Sequence, residues 1–479
     1  MDPTLLESLW RWTPELLLSL GAMAVMLVGV FARRAHRAAT MVAWLTILAS
    51  GASLWGIQTL PLAHGFYGLV VFDQISVVFR WVALGVVGLV ILMATSSQDV
   101  ERSWTGEYLG LLLFIGVGLM LMAEAVHLLM AYVAIELVSL SSYVLAALVR
   151  DARSSEAGLK YLLFGALSSG IMLFGMSLLF GLTGELSFAA MHDAANHLGL
   201  HMVGPLSIAT TLVLAGLAFK ISMVPFHMWT PDVYEGSPTP VTAMLSVGPK
   251  AAGFALLLRI MEAIGPVWGA VAPLILVLTV LTMTLGNVVA VVQTNIKRLL
   301  AYSTIGQVGY LLIGFVVNTP IGVEALLVYL VAYLFMNLGA FACVVAVCNA
   351  THSESLEAFR GLSHRAPGLA LCLAVFLLSL AGIPPLVGFV GKFLLFGSAI
   401  QAHRVVLAVV AAINSAIALY YYVNIIRQMY LQAPVFNSPI PSSPALRLAV
   451  GICGLATVGL GLFPAPLLAC ISRSVGIPL

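Results

Sequence analysis

Stretches of roughly 20 apolar residues follow one another along this chain with little left between them, and each is long enough to cross bilayer hydrocarbon as a helix. Fourteen are recognisable. They run approximately over residues 16–31, 38–57, 75–94, 108–123, 126–148, 159–181, 205–219, 240–261, 268–292, 299–317, 323–347, 367–398, 405–429 and 445–471. The expected fold class is therefore all-α, a polytopic membrane protein. Composition agrees, with 61% hydrophobic and 8% charged residues, where a soluble domain carries about 25% charged. A soluble enzyme, a nucleic-acid binder and a disulfide-rich secreted domain are excluded, and a net charge of +2 offers nothing to a polyanion. The leader does not read as a secretory signal, because Asp2 and Glu7 precede the first run and the basic cluster Arg33, Arg34 and Arg37 follows it.

Loop charge sets the expected orientation. With fourteen spans both ends share one side. Twelve Lys and Arg fall in loops on the other side, Arg33, Arg34, Arg37 and Arg150 among them, against four on the terminal side. The positive-inside rule then places the twelve in the cytoplasm and both termini outside.

Two of the runs are interrupted. The seventh runs into Lys220 and Pro225, and the twelfth contains Gly382-Ile383-Pro384-Pro385. Two short matches point to an internal repeat: Ala131-Tyr132-x-x-Ile135 with Ala301-Tyr302-x-x-Ile305, and Leu214-Ala215-Gly216 with Leu380-Ala381-Gly382. They suggest residues 1–105 as three leading helices, 106–262 as a first five-helix unit, 268–430 as a second, and 445–471 as the last helix. Five is odd, so the second unit is inverted with respect to the first. Inverted repeats with one broken helix apiece are a transporter architecture.

Five basic residues fall within spans: Arg80, Lys160, Lys220, Lys250 and Lys392. Glu136 joins them, about 12 Å deep at ~1.5 Å per residue. Intramembrane ionisable groups mark ion pathways by default. Burial favours a neutral amine and a nearby carboxylate restores the ammonium. At an effective dielectric of ~20 a pair gains ~4 kcal/mol at ~4 Å and ~2 kcal/mol at ~8 Å. Drawing Glu136 away from Lys220 would thus eject a proton, with Lys250 and Lys392 as the next stations and hydroxyls between. The alternative for Glu136 is a hydrogen bond to the Ser139, Ser141 and Ser142 region. Lys160 divides between a relay and a lysine reaching the cytoplasmic surface. Arg80, seven residues from Asp73, reads as a side chain snorkelling to the outer face. His227 is either a proton entry or a plain loop histidine. His197 and His201 share a helical spacing near His192, but no third metal ligand is evident. The five cysteines form no CxxC pair, and no haem, Fe–S or dinucleotide motif is present.

The blocks IELVSLSSYVL around Glu136, EAGLKYLLFGALSSG around Lys160, FKISMVPFHMWTPDVYEGSPTPVTAMLSVGPKAAGFALL around Lys220 and Lys250, NIKRLLAYSTIGQVGYLLIG around Lys297 and LAGIPPLVGFVGKFLLF around Lys392 cover spans 4 to 12. They resemble the antiporter-like membrane subunits of bacterial NADH-quinone oxidoreductase, respiratory complex I, and among these the N type. The resemblance implies fourteen helices with inverted repeats and discontinuous helices 7 and 12. It also implies a coupled Glu136–Lys220 pair, Lys250 as central relay and Lys392 as terminal station. Lys392 in place of a glutamate speaks against the M type, and the want of a long C-terminal lateral helix against the L type. Gln307 stands where many N-type chains have a histidine, and an amide cannot carry a proton as an imidazole does. NADH, FMN, Fe–S clusters and quinone are expected in partner subunits, with no cofactor or metal in this chain. The expected setting is the bacterial inner membrane, beside other membrane subunits. A subunit of a multisubunit Na⁺/H⁺ antiporter or a membrane-bound hydrogenase is the alternative, and a non-transporting scaffold a further one.

Overall fold

The computed structural model describes residues 3–31, 35–149, 151–436 and 439–476. Arg33, Arg34, Arg150 and Asp2 lie outside the described residues. Among the described residues thirteen helices are long and apolar enough to cross a membrane: Thr13–Phe31, Ala35–Ile57, Gln74–Ala94, Thr105–Glu124, Leu128–Ala146, Ala152–Thr183, Val203–Ile221, Thr239–Ile264, Trp268–Ala290, Ile296–Val317, Pro320–Thr351, Val405–Leu431 and Pro444–Leu462. Pro367–Ala381 and Val387–Gln401 together make one broken crossing between the eleventh and twelfth of these. The total is fourteen, numbered here as spans 1 to 14 in chain order, so the broken crossing is span 12 and Val405–Leu431 is span 13. The fold class expected from the apolar runs is the one found.

Three local differences have plain causes. The last apolar run is two helices, Pro444–Leu462 and an amphipathic Ala465–Val475, because Pro464 and Pro466 interrupt it. A short helix, Pro3–Arg11, precedes span 1. Between spans 2 and 3 a small antiparallel hairpin pairs Ala63–Gly65 with Val70–Phe72. Its turn holds Phe66 and Tyr67 at positive φ, followed by Gly68 at φ 86°.

The repeat is real, but its register is not the one the sequence matches suggest. An isolated bridge joins His127 to Ser187 at the start of span 5, and another joins Asn295 to Ser355 at the start of span 10. Both members are displaced by 168 residues. At the same displacement, the His127 side chain caps Leu129 N and the Asn295 side chain caps Lys297 N. Span 6 ends in a left-handed Gly184 and span 11 in a left-handed His352. Spans 6 and 11 each have 32 residues. Five crossings separate the two bridges, so they lie on opposite faces. The Ala-Tyr-x-x-Ile match is two residues out of this register, a coincidence of common residues.

Both breaks are built alike. Span 7 ends at Ile221 with Ser222 at φ 66°, and the N–H groups of Ser222 and Met223 return to Phe219 O and Ala218 O. The first half of span 12 ends at Ala381 with Gly382 at φ 91°, and the N–H groups of Gly382 and Ile383 return to Ser379 O and Leu378 O. This left-handed stop satisfies carbonyls that the chain leaves free when it turns out of the helix. Glycine occupies that conformation without strain, whereas Ser222 accepts a cost of about 1 kcal/mol. After the first break the chain resumes as the short helix Trp229–Gly236.

Candidate proton-transfer site

Lys220, Lys250 and Lys392 are 1%, 0% and 3% exposed, inside the bundle, with Lys220 in the last turn of span 7 at the break. A lysine snorkelling to the surface would show an exposed ammonium, and none of the three does. Their partners are neutral. Lys220 Nζ donates to Ser139 Oγ at 3.0 Å. Lys250 Nζ donates to Leu245 O at 2.9 Å and lies over the rings of Trp229 and Tyr234, at 4.8 and 5.1 Å from their centroids. Lys392 Nζ donates to Ser415 Oγ at 3.0 Å and to Ala381 O at 3.1 Å, with the Tyr310 ring centroid at 4.4 Å. The break places the last pair: Ala381 O is a carbonyl freed where span 12 stops, and the second half-helix returns Lys392 onto it.

Glu136 sits in span 5 one turn from Ser139, but it does not touch Lys220. Its carboxylate accepts from Ser169 Oγ of span 6 at 2.5 Å. Ser139, the partner of Lys220, gives its own proton to Ile135 O. The members of the expected pair thus have separate partners, Ser139 for Lys220 and Ser169 for Glu136. Glu136 is also only half-buried, beside the exposed Val133 and Leu140. Its depth along the helix is as expected, but it stands at the lateral edge of the bundle. The hydrogen bond comes from span 6, not from the serines of its own helix.

Lys160 is set apart from the buried lysines. Its side chain is 38% exposed and pairs with Glu156 at 2.8 Å and Asp232 at 2.7 Å. These pairs belong to a charged clamp around Trp229–Gly236. Arg298 Nη1 reaches Asp232 and Glu235, each at 2.8 Å, and Arg153 reaches Glu235 at 2.5 Å. Lys297 Nζ binds Ser237 O at 2.7 Å and Glu354 at 2.8 Å. Desolvation raises the Asp232 carboxyl, but the hydrogen bonds from Lys160 and Arg298 outweigh it and hold it below the usual carboxylate range. His227 lies in the irregular stretch after the first break, half-buried, with its carbonyl accepting from Thr230 N and no side-chain bond at Nδ1.

Arg80 contradicts its sequence reading. It is 2% exposed and pairs with Glu15 at 2.9 Å and Glu124 at 2.5 Å, both fully buried. Asp73, its expected neighbour, instead binds Arg259 through both oxygens at 2.6 Å. The reason is that spans 1 and 4 pack directly on one another and present two carboxyls to the arginine before it can reach a surface.

Sequence reasoning also missed the polar groups between Lys250 and Lys392. Asn337 Nδ2 donates to Ser246 Oγ at 2.6 Å. Tyr333 OH donates to Thr304 Oγ1 at 2.9 Å, and Tyr329 OH donates to Gln307 Oε1. Gln307 Nε2 donates to Leu380 O at 3.1 Å and Tyr422 OH at 3.2 Å. Asn287 joins Tyr310 at 3.1 Å and Tyr421 at 3.0 Å. All are buried. The available signal was the four-residue spacing of Tyr329, Tyr333 and Asn337 on an otherwise apolar helix.

Among the described residues no group of three or more His, Cys, Asp or Glu is placed to hold a metal ion. His192, His197 and His201 form no such group.

Residues 125–418 match the family model described as NADH:quinone oxidoreductase/Mrp antiporter, transmembrane. The chain is 41% identical to NADH-quinone oxidoreductase subunit N of Anaeromyxobacter sp. strain Fw109-5, over 94% of this chain and 92% of that protein. Among solved structures, a chain of respiratory complex I from Thermus thermophilus superposes with a TM-score of 0.82 at 34% identity, covering 95% of this chain and 98% of that one. A chain of the Mrp complex from Dietzia sp. DQ12-45-1b superposes with a TM-score of 0.84 at 22% identity, covering 99% and 97%, and shows the shared fold alone. The sequence blocks around the buried lysines, the twin breaks and these likenesses agree: the chain belongs to the NADH:quinone oxidoreductase/Mrp antiporter transmembrane family, and within it to the subunit N group.

Proposed function

We propose that this chain carries protons across the membrane along a line from Lys220 through Lys250 to Lys392, with Glu136 biasing the charge of Lys220. The observation that carries the reading is the environment of the three lysines: buried, mid-membrane and hydrogen-bonded only to neutral oxygens. A structural lysine in such a place would be fixed by a carboxylate. These have none within salt-bridge range among the described residues, so each can lose its proton without stranding a counter-ion. Lys160 belongs to the clamp, and His227 is the candidate for proton entry. Residues 106–262 and 268–430 act as two inverted units, preceded by 1–105 and followed by 445–471.

The setting is the inner membrane of a bacterium, in a complex whose other membrane subunits flank this one and whose remaining subunits hold NADH, FMN, Fe–S clusters and quinone. Both termini face the periplasm. A cysteine at His36, labelled by an impermeant reagent only from the cytoplasmic side, checks that orientation. The central test is Lys220→Ala in assembled complex, with proton uptake measured in inverted vesicles. Loss of uptake with normal assembly is the expected result, and unchanged uptake would remove the reading.

A further inference from the structure

The Glu15–Arg80–Glu124 cluster lies outside the lysine line, where spans 1 and 3 meet span 4 of the first unit. Arg80 supplies one positive charge and the two glutamates would supply two negative ones, all without solvent contact. The other charged side chains described around it are already balanced. Arg11, on the helix before span 1, is turned to Glu7 at 2.9 Å and to Pro61 O at 2.7 Å, so only its carbonyl meets Arg80, at 3.4 Å. Asp73 at the head of span 3 is saturated by Arg259 of span 8. The strand Val70–Phe72 contributes only the Phe72 ring, 5.0 Å from the guanidinium.

One guanidinium cannot neutralise two buried carboxylates, and an unbalanced buried charge is strongly disfavoured. The geometry offers a remedy. Glu15 Oε1 and Glu124 Oε1 crowd the same Arg80 Nε, at 2.9 and 2.5 Å. Glu124 Oε2 has no hydrogen-bond donor, and Glu15 Oε1 has only its 2.9 Å ion-pair approach to Arg80 Nε. Two ionised carboxylates are acceptors only and would repel there. A single proton between them turns repulsion into an O–H···O bond and leaves Arg80 facing one net negative charge.

We propose that Glu15 and Glu124 form a proton-binding site, the two carboxyls sharing one exchangeable proton beside Arg80. Exchange runs toward the face that carries the hairpin. A cavity of about 410 Å³ opens there, lined by Glu7, Ser8, Arg11, His64 and Tyr67. Arg11 is shared by both places, its side chain lining the cavity and its carbonyl touching Arg80. The proton leaves one carboxyl for cavity water and returns by the same route, so no other reactant is needed. The site stands whether or not the lysine line conducts.

The test is infrared difference spectroscopy of the whole complex on exchange into D₂O. Wild type is expected to show the carbonyl stretch of a protonated carboxyl that shifts on exchange. Glu124→Gln, which mimics a neutral carboxyl, is expected to assemble normally and lose that component. Glu15→Gln is the second variant and is expected to lose it too. A spectrum identical in wild type and both variants would overturn the site. A component that the variants remove but that does not shift in D₂O would overturn exchange with the cavity. If either variant abolishes assembly, the other and the wild-type isotope shift decide. Lys220→Ala is expected to leave the component unchanged, which separates this result from failure of the lysine line.

Discussion

The two five-helix units share a backbone plan and differ in what they place on it. In the register of the paired bridges, Glu136 of the first unit corresponds to Thr304 of the second, and Ser139 to Gln307. In the register of the two breaks, Lys220 corresponds to Leu380. Both contacts survive in changed form. Ser139 accepts from the Lys220 ammonium, whereas Gln307 donates to the Leu380 carbonyl. The first unit thus sets a carboxylate one turn from the hydroxyl that holds its lysine. The second keeps the same positions neutral and moves its lysine to the far side of the break, at Lys392. The difference teaches where control can reside. A charge can be biased only where a second charge is near, since the electrostatic gain falls from ~4 to ~2 kcal/mol between ~4 and ~8 Å. On the proposed line, the Glu136–Lys220 half would be open to electrostatic gating and the Gln307 half would be a neutral hydrogen-bonded link.

The largest expected effect is at Lys220. Replacing it with alanine should lower proton pumping by about tenfold or more in assembled complex. The comparison is sharpened by double variants. Adding Glu136→Gln to Lys220→Ala should cost nothing further, because the partner is already gone, while adding it to Lys392→Ala should compound the loss. Equal compounding in both cases would break the distinction between the units.

A smaller effect orders the substitutions at Glu136 itself. Aspartate keeps the charge with a shorter reach and glutamine keeps only the acceptor oxygen, so uptake should fall from wild type to Asp to Gln. If Gln pumps like wild type and Asp fails, the Ser169 hydrogen bond is what matters and the electrostatic half of the comparison is lost.

Gln307→Leu removes two donated bonds and one accepted bond from the second unit. Pumping should fall by about twofold to tenfold, with pumping in Gln307→His restored toward wild type. No change with Leu would mean that the Tyr329–Gln307–Tyr422 contacts are packing alone.

The smallest effect concerns acid stability. Asp232 is held below the ordinary carboxylate range in the fold. Its contribution is present above the range of an unfolded aspartate and is lost as pH falls through the lowered folded value. Asp232→Asn should therefore lower the melting temperature of the complex slightly at neutral pH and flatten its decline in acid. Asp232 and its partners are partly exposed, so solvent screening keeps the shift small.

The spans and both breaks were legible because they rest on runs of apolar residues and on proline and glycine, which act locally. The three buried lysines were legible because a charge deep in an apolar run marks an ion pathway by default. Arg80 was not. Glu15 and Glu124 sit near the ends of their runs, where a carboxylate reads as a loop group, and they meet Arg80 from 65 and 44 residues away. The hydroxyl and amide link was hidden for a different reason: a tyrosine adds to hydropathy as an apolar residue while its oxygen does polar work. The lateral exposure of Glu136 was beyond reach, since depth along a helix follows from counting residues but rotation toward the bundle edge depends on neighbours.

The clamp around Trp229–Gly236 has a thermodynamic consequence. That short helix belongs to the first unit, yet Lys297 and Arg298, which grip it, head the span that carries Thr304 and Gln307. It acts as a strut between the two units. Linkage is reciprocal in free energy. If loading a proton on Lys220 shifts the strut and so changes the affinity of Lys392, then loading Lys392 must change the affinity of Lys220 by the same factor. Measured from either end, the coupling should be a single number.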